Sequence, residues 1–284
     1  MALKPPVQIS HNVAILLGAI MILFAGASFY GFPDPQPGDK AILFRTSRMP
    51  SGEHFINFRI RTAPAWLYQG LHALPAIIWS IAMPLQHSEK LRKKWPVFHR
   101  KMGYIILSLS LVLSMTGYVF LVKKHTYSHE NIFHMHSIRN FPIKWPTFDF
   151  ATWLLGPPYW ITLYKTAATA RAKNFVQHRK WAVLHTLWAY IISAERLGVL
   201  VIYAIGFAVS SFPQDLVHEY LGVGYTNEEM AEAELAVFAL ANPMAVGFVF
   251  SWWAYEFGLV TYLRGVWKQY PPFSSAEMDM KKVE

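Results

Sequence analysis

Glu195 and Arg196 lie inside a long apolar stretch, His178 to Ser210, that opens with the basic triplet His178-Arg179-Lys180. Charges at such depth are costly in hydrocarbon and by default mark a working site. Stepping by threes and fours gives His178, Trp181, His185, Trp188, Ile192 and Glu195, a polar and aromatic stripe on one helix face. At about 1.5 Å per residue, Glu195 lies about 21 Å from Trp181, in the far half of a hydrocarbon layer about 30 Å thick. The same count puts His72 and Asn242 about 10 Å into their own helices and Asp149 at the start of another. These residues are expected to meet in one half of the bundle. The chemistry they suit is acid-initiated. A carboxylic acid kept from water holds its proton and can give it to an epoxide or olefin. The cation formed is steadied by aromatic faces, and the chain has 11 Trp, 14 Tyr and 20 Phe. Glu195 or Asp149 is then the donor, tuned by His72 and Arg196, while Trp79, Trp153, Trp160, Trp188, His185 and Asn242 line the substrate. The plainer reading makes Glu195 and Arg196 helix-to-helix hydrogen-bonding groups, Asp149 a helix cap and the tryptophans an interfacial belt. Adjacent on a helix, Glu195 and Arg196 point about 100° apart, so nothing obliges them to pair.

At the other ends of the same helices stand His99, Arg100, His178, Arg179 and Glu256. Paired histidines on neighbouring helices suit axial ligation of haem b, in an electron carrier of the cytochrome b561 kind. The arginines equally suit a phosphate or diphosphate, or lipid headgroups. His125, His129, His134 and His136 crowd one loop without thiolate neighbours, which favours an interfacial cluster over a metal site.

The elements that must position these residues are six apolar spans, at about 12–32, 65–84, 102–122, 148–170, 181–210 and 235–263, in a single membrane domain. The expected fold is all-α, a polytopic membrane helix bundle. The first span exceeds a signal h-region of about 7–15 residues and reads as a retained helix. Pro75 predicts a kink in the second, and Gly156-Pro157-Pro158 predicts a break or strong bend in the fourth. Six spans put both termini on one side. That side carries 16 Lys or Arg against nine on the other, so both termini are expected in the cytoplasm. Val97-Phe98-His99-Arg100-Lys101 is echoed 79 residues later by Val176-Gln177-His178-Arg179-Lys180. Spans two–three and four–five therefore read as a repeated helix pair forming a four-helix core.

With 54% hydrophobic and only 15% charged residues, the chain is poorer in charge than soluble domains. The absence of cysteine excludes disulfides, thiolate metal sites and a cysteine nucleophile. A net charge of +9 without a reading motif points to cytoplasmic loops rather than nucleic acid.

Leu71-His72 in one helix, His99-Arg100-Lys101-Met102-Gly103-Tyr104 opening the next and His178-Arg179-Lys180-Trp181 opening a later one resemble an uncharacterised multi-pass membrane family. Its members carry a helix histidine, a His-Arg-x-x-Gly and a His-Arg-x-Trp-Met-x-Arg motif. His72, His99, Arg100, Gly103, His178, Arg179 and Trp181 fit, over about residues 65–200, whereas Ala182 and Leu184 replace the family's Met and Arg. That family implies no activity. In size, span number and aromatic content the chain is also similar to the fungal membrane-bound terpene cyclases of farnesylated phenols, without a shared motif. The expectation is a membrane-bound terpene or meroterpenoid cyclase, an isomerase- or lyase-type biosynthetic enzyme without a cofactor, acting on an isoprenoid-like substrate. The alternatives are a haem b carrier and a small transporter.

Overall fold

The computed structural model is mostly helical, as the all-α class predicts. It describes residues 11–29, 63–123, 125, 131–138, 141–209, 211–221, 227–256, 258, 259 and 263. The end of the first span, His129, Lys4 and the C-terminal tail lie outside the described residues, as does the side chain of Glu256.

The first span forms α1 (His11–Ala27). The second starts as a π-helical segment, Trp66–Ala73, and passes into α2 (Leu74–Gln86). The kink expected at Pro75 is replaced by this change of winding: the wide turns end just before the proline, which lacks the N–H that an α-helical turn would use. A short helix follows, α3 (Glu89–Lys94), capped by the Ser88 hydroxyl, which accepts from the Leu91 N–H at 3.4 Å. Pro96 in the first turn opens α4 (Pro96–Val122), so His99 and Arg100 belong to the helix itself, six residues before the expected start of the span at most.

The histidine loop is not irregular. β1 (Phe133–Ile138) and β2 (Phe141–Pro146) form an antiparallel hairpin with His134 opposite Trp145. Trp145 pins it to the last helix, donating its indole N–H to the Ala236 carbonyl at 2.7 Å.

The fourth span is α5 (Phe148–Arg171), which runs through Pro157 and Pro158 without the expected interruption. Gly156 has another task. A Cβ there would run into the Tyr118 hydroxyl, so the glycine seats α4's tyrosine on α5. Lys173, at φ 57°, ends the α5 turn in the left-handed conformation, and Asn174 caps α6 (Phe175–Ala189) by accepting from the Gln177 N–H at 3.2 Å. The fifth span divides at Tyr190 into α6 and α7 (Ile191–Val209). After α8 (Gln214–Leu221), the chain closes with α9 (Asn227–Glu256), which begins eight residues before the expected start of its span and carries Pro243 inside it.

The main apolar core joins Leu17 of α1, Trp79 and Met83 of α2, Ile106 of α4, Val183 and Leu187 of α6, Tyr190, and Val249 and Trp252 of α9. α7 and α9 approach closely at Gly198, where a Cβ would lie 3.4 Å from Ala241. Ala194 and Gly198 on one helix and Ala241 and Ala245 on the other make the small-residue seam that such packing requires. Among the described residues, two helical runs, Pro96–Val122 and Phe175–Val209, are long and apolar enough to cross a membrane.

Candidate functional site

At one end of the bundle, Glu195 is 1% exposed. Its partner is Arg196 after all. The arginine's extended side chain turns back along the helix, and Nη1 lies 2.7 Å from Oε2 and 3.0 Å from Oε1. Distances this short belong to a charge-assisted pair. The guanidinium also lies over the Phe24 ring of α1 at 5.8 Å, and its charge reaches Tyr68 and His72. His72 and Glu195 therefore share Arg196 as a neighbour.

His72 is fixed by a hydroxyl. Its Nδ1 lies 2.7 Å from Thr116 Oγ1. The single Thr116 proton is committed to the carbonyls of Val112 and Leu113, at 2.9 and 3.0 Å, so the imidazole donates from Nδ1 and keeps Nε2 as an acceptor. Phe120 stands edge-on to His72 at 4.9 Å, and Tyr68 stacks on it at 6.3 Å. The π-helical winding matters here, since it sets where Tyr68 and His72 point; such turns recur at functional sites.

A second polar constellation lies at mid-height and ties four helices together. Trp79 donates its indole N–H to Ser110 Oγ at 2.9 Å. Ser110 donates onward to His185 Nε2 at 3.2 Å, and His185 Nδ1–H donates to Thr162 Oγ1 at 3.3 Å. Thr162 passes its proton to the Tyr159 carbonyl at 2.9 Å, which fixes the direction of the whole run. Tyr159 closes the arrangement, its hydroxyl donating to the Ser110 carbonyl at 2.9 Å and its ring lying edge-on to His185 at 4.9 Å. Both nitrogens of His185 are thus engaged. The residue expected to line the substrate joins α2, α4, α5 and α6.

The expected aromatic chamber is dispersed. Trp79 is core, edge-on to Tyr190 at 5.2 Å. Trp153 and Trp160 flank Tyr118 at 4.8 and 6.4 Å, and Trp188 meets Phe250 of α9 at 6.3 Å. The rings that do stand beside Arg196 and His72 are Phe24, Tyr68 and Phe120. Asp149 sits in the first turn of α5, where Thr147 rather than Asp149 holds the cap position, and next to the hairpin. Asn242 is 2% exposed, with its Nδ2 unpartnered, one residue past the Ala241–Gly198 contact. That contact lies three residues along α7 from Glu195.

At the opposite end, His99 and His178 are electrostatic neighbours, with Arg92 beside them. His178 donates Nδ1–H to the Thr166 carbonyl at 3.0 Å, and Gln86 donates to the His99 carbonyl at 3.0 Å. Among the described residues no three potential metal ligands come together, and His134 and His136 pack at 6.3 and 6.1 Å from Trp145.

Sequence reasoning missed Thr116, Ser110 and Thr162. The usable signal was a small hydroxyl inside an apolar span, which must find a hydrogen-bond partner there. Compared with family models, with curated proteins and with solved structures, the chain finds no match.

Proposed function

We infer that the chain is a polytopic membrane protein of six spans with both termini in the cytoplasm, and that the Glu195–Arg196–His72 site performs acid–base chemistry on an isoprenoid-like substrate, as a terpene or meroterpenoid cyclase. The observation that carries this reading is a fully buried carboxylate, held by its own arginine, beside an imidazole that keeps Nε2 free and against the rings of Phe24, Tyr68 and Phe120. A pair of this kind costs more to bury than it returns in stability, which argues for a working role. Cyclisation needs one proton lent and one returned. Glu195 and His72 Nε2 are the two accepting positions, and a proton held at either protonates an epoxide or olefin. The resulting cation lies against aromatic faces that stabilise it without attacking it. Arg196 then serves as the counter-charge that returns Glu195 to its carboxylate form.

The test uses membranes containing the full chain, incubated with a farnesylated phenol and with its terminal epoxide. Conversion to a cyclic product is expected, with a loss of about 10²-fold or more in Glu195→Gln and in His72→Gln. No conversion by the wild type, or a normal rate in Glu195→Gln, overturns the reading. His178 with a free Nε2 next to His99 supports the haem b alternative, because a ligating histidine commonly donates its other N–H to a carbonyl. A Soret band in the purified protein that disappears in His99→Ala would put that alternative ahead.

A further inference from the structure

At the end remote from Glu195, α3 and the start of α4, which follow each other in the chain, bring their charges together with the start of α6. Arg92 is a charged neighbour of His99, as is His178, and Arg179 is within electrostatic reach of Glu89. Among the described residues one carboxylate stands in this ring, Glu89. Lys93 bonds it at 2.9 Å and Arg92 lies at 3.9 Å. The hydrogen bond and then the charge of Lys93 hold that carboxyl below the usual carboxylate range, and its one negative charge cannot balance Arg92, Lys93 and Arg179 together. His178 is oriented by its bond to the Thr166 carbonyl, which reserves Nε2 for another partner. Exposed apolar side chains stand among these charges. Trp95, Val97 and Phe98 precede His99, Phe175 and Val176 precede His178, and all five are exposed.

We propose that Arg92, His99, His178 and Arg179 form a binding site for the phosphate of an anionic phospholipid. The guanidiniums provide planar forks for phosphate oxygens, and His178 Nε2, the acceptor in the tautomer that donates from Nδ1, accepts from the P–OH of a phosphomonoester. The exposed Trp95, Phe98 and Phe175 pack against the lipid's glycerol and upper acyl carbons, where amphipathic and aromatic side chains are stable. The site rests on the membrane reading but not on the reaction assigned to the other end.

The experiment places the full-length protein in nanodiscs of phosphatidylcholine, with and without phosphatidic acid, and follows lipid retention by native mass spectrometry and the thermal unfolding midpoint. Phosphatidic acid is expected to be retained as a discrete adduct and to raise the midpoint. Arg92→Gln/Arg179→Gln, on a half-buried and an exposed side chain, is expected to weaken that retention about thirtyfold while keeping the elution profile of the wild type. Equal retention in the wild type and the double variant overturns the site. Stabilisation by inorganic phosphate or glycerol 3-phosphate in phosphatidylcholine discs, with no added effect of phosphatidic acid, overturns the lipid as the source. A Soret band lost in His178→Ala would overturn the phosphate assignment in favour of haem. Cysteine labelling of the loops reports on the membrane reading separately, so failure of the site and failure of the topology are distinguishable.

Discussion

Glu195 is held by the residue next to it in the chain, so the two cannot be separated energetically. Replacing Arg196 by Met leaves a carboxylate buried and unpaired, at a cost of about 3–5 kcal/mol. Adding Glu195→Gln should restore most of that, and thermal unfolding in detergent of the single and double variants checks it; equal midpoints would mean that the pair is not coupled. His185 is a different kind of buried polar residue. Its hydrogen bonds are neutral and closed, so His185→Leu and Ser110→Ala should be non-additive by about 1 kcal/mol in a double-mutant cycle. The sequence identified Glu195, Arg196 and His72 because charge and imidazole inside an apolar run are conspicuous. It misjudged their partners for a physical reason: helical angles describe Cβ directions, whereas an arginine has four rotatable bonds with which to turn back on its neighbour. It overvalued Trp79, Trp153, Trp160 and Trp188 because an indole packed in a core and an indole lining a cavity have the same periodicity.

At the scale of elements, apolar runs located every long helix, whereas winding and junctions were hidden. Pro75 was legible as a disturbance but not as the end of a π-helical segment, since the energy of a wide turn depends on what His72 and Tyr68 then touch. The β-hairpin was hidden among histidines because its stability comes from Trp145 docking on Ala236, 91 residues away. Two glycines carry testable consequences. Gly198→Ala adds a Cβ at ordinary contact distance from Ala241 and should be tolerated, whereas Gly198→Leu should separate α7 from α9 and abolish a monodisperse elution peak. Gly156→Ala should destabilise the protein by about 1–3 kcal/mol by displacing the Tyr118 hydroxyl, and Tyr118→Ala in the same chain should remove most of the incremental loss. If Gly156→Ala unfolds like the wild type, the glycine is not serving as the seat of Tyr118.

For the whole molecule, the imbalance of Lys and Arg between loops leads to a simple topological prediction. The chain has no cysteine, so single introduced thiols report without background. In intact cells a membrane-impermeant maleimide should label Glu219→Cys on α8 and leave Lys93→Cys on α3 unlabelled until the membrane is opened; the reverse pattern would invert the orientation.

The Trp79–Ser110–His185–Thr162 run also bears on how the protein is made. Its donors and acceptors come from α2, α4, α5 and α6, and the imidazole that links them arrives last from the ribosome. Until α6 is made, Ser110 and Thr162 lack the histidine that joins them. A chain stopped before α6 therefore leaves the Ser110 hydroxyl proton without its acceptor, and α2, α4 and α5 without the imidazole that links them.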